Sequence, residues 1–217
     1  MWGMMQPDPV SRSCFTCPEV YVLVNEKAVA EPRLFHWLIT DEFGDENAVR
    51  CFLSYADAAL AAGIARATQG LVVAPAKAAQ FGIEAFRVGD EYFASLHMGW
   101  GAHQGRLLVS EDGVFVTFGM PLRQPVSSPA PSFEVDDRAL AMVGGLYESA
   151  GMFAWREMFT KMEWNGAGIR HALSGIEIEQ WGVVKQDQYA FFNSESGEWH
   201  FLPLDGPEYE TPELPAN

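Results

Sequence analysis

VRCFLSYADAALAAGIARATQGLVVA, residues 49–74, reads as strand, helix and strand with its joints marked. Val49, Arg50, Cys51, Phe52 and Leu53 form a β-prone run, Ser54 is placed to N-cap, and Asp57 three residues later completes a capping-box pattern. Residues 58–67 hold strong helix formers, Gly70 supplies a stop, and Leu71, Val72 and Val73 form the short apolar run that buried strands use. A helix packed across two strands is the expected unit.

Upstream, VYVLV (residues 20–24) and LFHWLIT (34–40) are strand candidates expected to pair antiparallel. Side chains alternate along a strand, so His36 and Trp37 point to opposite faces, with Trp37 the better core candidate. Residues 1–19 have no period and are expected to form a flexible arm. Cys14 and Cys17 form a CxxC there, but a second ligand pair is missing and a strand rather than a helix follows, so structural or incidental thiols are expected. Cys51 lies inside an apolar strand, as a buried inert thiol would.

Downstream, APAKAAQFG (74–82) suggests a short helical piece with proline at its start and glycine after its end. Strand candidates 84–88 and 92–97 flank Gly89-Asp90, and 106–109 and 114–118 flank the turn 110–113. Between these hairpins lies HMGWGAHQG (97–105), with two histidines, a tryptophan and three glycines. As a hairpin connection it would let Trp100 fold back on the sheet. As a small-molecule site it would use His97, Trp100 and His103 for stacking and proton transfer.

GMPLRQPVSSPAPS (119–132) holds four prolines and three serines, which marks a linker, placed at residues 121–133. It would join an α+β module at 20–120 to a second module at 134–204. The second module opens with helices, where Leu140, Val143 and Tyr147 recur at helical spacing and Phe153, Trp155, Met158, Phe159 and Met162 continue the stripe. A three-stranded antiparallel meander follows over 176–184, 189–193 and 198–202. Residues 205–217 are expected to be a disordered acidic tail. The expected fold class is therefore α+β.

Lys plus Arg number 14 against 29 Asp plus Glu, a net charge of −15, which sets the field against nucleic-acid phosphates and anionic lipid and favours a basic partner. From Ile176 to the end there are nine acids and one base, so about half of this charge sits in the last part. Three cysteines without a framework fit a reducing cytoplasm. No apolar run approaches the roughly 18 residues that spanning requires, so neither a signal peptide nor a membrane helix is expected. Walker, Rossmann, nucleophile-elbow and H-E-x-x-H patterns are absent, and no catalytic residue, cofactor or metal is expected. Glu177 and Glu179 would share one strand face, where a solvated face is the expectation rather than acid–base work.

VYVLV, HWLITDEFG, VRCFLSYADAALAAG and LVVAPAKAAQFG, in this order, resemble the N-terminal module of SseB-type bacterial proteins. In that family a phenylalanine-rich strand ends at a serine that opens a helix, which corresponds here to Phe52, Ser54 and the alanine-rich helix. The resemblance covers residues 20–82 and leaves 133–217 unmatched. It implies a bacterial accessory or regulatory protein that works by binding other proteins. The functional expectation is thus a non-enzymatic accessory, regulatory or antagonist protein with a protein partner; the alternative is a small-molecule-binding enzyme using the 97–103 loop.

Overall fold

A computed structural model describes residues 19–25, 38–43, 45–76, 83–111, 113, 115–128, 132–160 and 166–204, with only the backbone for 64–69. The arm, Cys14, Cys17, His36, Trp37, most of the 74–82 helical piece and the acidic tail lie outside the described residues. Eleven strands form one mixed sheet: β1 (Tyr21–Asn25), β2 (Thr40–Phe43), β3 (Glu46–Phe52), β4 (Leu71–Pro75), β5 (Arg87–Val88), β6 (Glu91–His103), β7 (Arg106–Val109), β8 (Thr117–Pro125), β9 (Ile178–Gln180), β10 (Gln188–Asn193) and β11 (Glu198–Pro203). The helices among the described residues are short: α1 (Tyr55–Gln69), α2 (Asp137–Ser149), α3 (Trp155–Thr160), α4 (Gly166–Ser174) and a 3-10 turn at Ile83–Phe86. The α+β expectation is thereby corrected. The protein is mostly β, and strands from both sides of the expected linker hydrogen-bond in the same sheet, β10 pairing directly with β6.

The opening stretch folds as its residues predict. Ser54 Oγ accepts the Asp57 backbone N–H at 3.3 Å, which starts α1. Gly70, at φ 61°, turns the chain out of the helix in the left-handed region that glycine occupies without strain. β3 and β4 both pair antiparallel with β1, so they run parallel to one another with β1 between them and α1 as the crossover. No helix among the described residues is long and apolar enough to cross a membrane.

Both faces of the sheet are buried. Val20, Val22, Val24, Val49, Cys51 and Leu53 face a layer closed by α2 and α3, while Tyr21, Leu23 and Phe52 face a layer closed by α1 and α4. Such two-sided burial explains why these strands read as continuous apolar runs instead of alternating. The helices of the second layer approach closely at Gly63, where a Cβ would stand 2.9 Å from Ile169 Cγ2.

Three local expectations change. The 97–105 stretch is no loop for most of its length: it is the second half of β6, whose turn comes only at Gln104 and Gly105. The proline-rich stretch is strand as far as Pro125, and among the described residues β8 pairs with β6 alone. Pro121 and Pro125 are four residues apart, so their missing N–H groups fall on the same edge, the unpaired one where proline does no harm. The meander loses its first strand, since β9 pairs parallel with β7, while β10 and β11 form the expected antiparallel hairpin.

Candidate functional site

β6 is the strand that positions the polar chemistry. β8 lines one of its edges from Glu91 to Trp100, so β3 and β10 share the other in succession: β3 opposite Ala94, Ser95 and Leu96, and β10 opposite Trp100, Gly101 and Ala102. Register slips between His97 and Gly99, which face Gly119 and Phe118 in turn, leaving Met98 as one extra residue. That bulge reverses the alternation. Ala94, Leu96 and Met98 belong to the first core layer, but Trp100 and Ala102, of the same parity, belong to the second.

Consequently His97 and Trp100 meet on one face, with ring centroids 4.5 Å apart, and Phe52 lies 4.9 Å from His97. Trp100 is 1% exposed and donates its indole N–H to Asp57 Oδ1 at 3.3 Å. Tyr147 of α2 donates its hydroxyl to Asp57 Oδ2 at 3.1 Å. Asp57 thus ties one residue of each core layer to the start of α1. Burial raises its carboxyl to about 6 despite these donors and Ser54, which favour the charged form. Burial, then the adjoining carboxylate, pushes the Tyr147 phenol well above its usual range. His97 is held well below the usual imidazole range by burial and then by the Arg50 charge, and neither ring nitrogen has a hydrogen-bond partner among the described residues.

A second polar group lies beside it. Arg50, 6% exposed, places Nη2 at 2.5 Å and Nε at 2.7 Å from Asp41 Oδ1, which also accepts from the Thr117 hydroxyl at 3.2 Å. Asp41 Oδ2 and Ser95 Oγ are buried without a partner among the described residues.

Of the three expected ligand-binding residues, the structure brings His97 and Trp100 together inside the core and leaves His103 at the end of β6. There His103 Nδ1 stands 3.2 Å from Asp187 Oδ2. Cys51 is buried, and its thiol donates to the Val49 carbonyl at 3.5 Å. Glu177 and Glu179 bracket Arg106 at 2.9 Å and 3.7 Å, so a cation stands between the two carboxylates. Among the described residues no three His, Cys, Asp or Glu side chains come together as metal ligands. Asp57 and Tyr147 stand 90 residues apart, so their pairing leaves no short-range signal in the sequence, whereas the place of Asp57 beside the Ser54 cap does.

At the surface the conspicuous feature is apolar. Ile178 (48% exposed), Trp181 (52%) and Val183 (77%) follow one another along β9 and the turn after it. Trp181 N–H donates to the Val109 carbonyl at 2.7 Å, which sets this strip beside the turn carrying Glu111, with Glu177 and Glu179 at its near end. Compared with known proteins, the chain matches no family model, no curated protein and no solved structure.

Proposed function

We propose that this chain is a non-enzymatic bacterial cytoplasmic protein that acts as an accessory, regulatory or antagonist factor by binding another protein. The observation that carries the reading is the set of exposed apolar residues Ile178, Trp181 and Val183 on an acidic molecule that turns Asp57 and His97 inward. An exposed tryptophan with aliphatic neighbours supplies the apolar anchor of a contact, and a charge of −15 accelerates encounter with a basic partner. The resemblance of residues 20–82 to the SseB-type module supports the same reading.

Capture of partners from the source organism at low and at high salt, with the natural chain and with Trp181→Ala, tests it. A basic protein retained at low salt, weakened by salt and lost with Trp181→Ala is expected; equal retention by both chains would refute the role of the strip. The second reading, a small-molecule enzyme, draws on the unpartnered ring nitrogens of His97 beside Trp100 and Asp57. It requires that β6 open to admit a substrate. Titration of metals and metabolites against the His97 ring resonances distinguishes it, since a resident ligand must shift them.

A further inference from the structure

Leu107 N–H donates to the Glu177 carbonyl at 2.9 Å and Trp181 N–H to the Val109 carbonyl at 2.7 Å, so the odd-numbered residues around β9 are the ones that bond to β7. Neighbouring residues of a strand turn their N–H groups to opposite edges, and the N–H groups of Ile178 and Gln180 therefore face away from β7. Among the described residues β9 pairs with no strand but β7. Exposed strand edges are ordinarily blunted by shortness, charge, proline or bulges, and β9 has the first two in its three residues and in Glu179, but not the others. β8 carries Pro121 and Pro125 in this way, whereas Ile178, Glu179 and Gln180 include neither proline nor lysine and lead straight into Trp181 and Val183.

We infer that β9 is a docking edge that takes an extended, lysine- or arginine-bearing segment of a partner protein as an added strand, with Trp181 and Val183 covering its side chains. The inference rests on the protein-binding reading and gives it a mode. Backbone N–H groups of Ile178 and Gln180 supply the ladder, and Glu111 together with the Glu177–Glu179 pair, of whose two charges Arg106 offsets one, supplies the complementary charge. Charge also decides between occupants. The chain's own tail carries Asp205, Glu208, Glu210 and Glu213 without a base, and a second copy brings another −15, so both meet repulsion at this edge.

The test uses the full chain and an alternating lysine–valine heptapeptide, with a glutamate–valine counterpart and two versions N-methylated at every valine or at every lysine. Binding is followed through the amide resonances of Ile178, Gln180 and Trp181. The lysine peptide is expected to bind and to slow solvent exchange of the Ile178 and Gln180 amides, with at least one N-methylated version losing affinity about tenfold or more. Gln180→Pro, which removes an outward N–H and leaves the β7 ladder intact, should lose a similar factor. Should that variant fold poorly, the N-methylated peptides still decide on the unaltered chain. Equal binding of both N-methylated versions overturns strand addition, and equal binding of the glutamate peptide overturns the charge assignment. Self-association abolished by Gln180→Pro assigns the edge to a second copy and overturns the proposal. Capture of a basic protein together with silence of all the peptides overturns this edge while leaving the protein-binding reading in place.

Discussion

Replacing Asp57 by asparagine isolates the effect of a single buried charge. The carboxyl goes from an ordinary 3.8 in the unfolded chain to about 6 in the fold, a shift of about 2 units. At about 1.4 kcal/mol per unit, ionising it inside the protein costs about 3 kcal/mol by pH 7. Because the folded value is the raised one, the native state holds the proton more tightly. The contribution is fully present below the unfolded value and is lost as pH rises through the folded one, mostly between about pH 4 and about pH 6. Asparagine keeps an oxygen to accept the Trp100 N–H and offers its amide to the Tyr147 hydroxyl, but it cannot ionise. The difference in unfolding free energy between Asp57→Asn and the natural chain should therefore move by about 3 kcal/mol in favour of asparagine from acid to pH 7. Urea unfolding followed by far-ultraviolet circular dichroism at a series of pH values measures it, and other titrating groups cancel in the comparison. A flat difference across that window, or a drift the other way, would refute the assignment of burial as the dominant cause.

His97 acts with the opposite sign, since its folded value is lowered: its contribution is present above the ordinary 6.5 and is lost as pH falls. His97→Phe should abolish that acid-side loss and recover about 1–3 kcal/mol from two unpaired buried nitrogens, read from urea midpoints; a net loss would reveal a polar partner for the ring. Asp41→Ala leaves Arg50 charged, buried and unpaired, and should cost about 3–5 kcal/mol in the same measurement. A loss below about 1 kcal/mol would show the guanidinium finding water instead. Gly63→Val drives side-chain atoms into Ile169 and should cost about 1–3 kcal/mol, with faster amide exchange in α4; unchanged exchange there would mean that the two helices separate freely.

Local signals were legible where short-range chemistry decides the outcome. The Ser54 cap, the Gly70 stop and the Gly89 turn at φ 59° all follow from neighbours within a few residues. Pairings over long separations were not legible. Nothing in residues 176–184 says that their partner is β7, some 70 residues earlier, instead of β10 a few residues on. Proline misled for a related reason: it marks a linker or an edge strand, and only the partner strand distinguishes them. The period-two apolar positions Phe118, Met120 and Leu122 were the clue that favoured the strand.

Glycine misled at β6 because it has two uses. Gly105, at φ 77°, is the turn residue that the spacing suggested. Gly99 and Gly101 instead make room: a Cβ on Gly99 would collide with the rings of Phe118 and Phe191, and one on Gly101 would stand 2.9 Å from Val116 Cγ1. They let aromatic and branched side chains of neighbouring strands lie flat on β6, and the Met98 bulge between the two halves sends Trp100 to the face opposite that of Leu96. With the same residues in unbroken alternation, Trp100 would point into the first layer, away from His97, and its indole would lose Asp57. The bulge thus brings His97, Trp100 and Asp57 together in the interior. The fold uses His97 and Trp100 in its interior, while Trp181 is among the aromatic residues it leaves exposed.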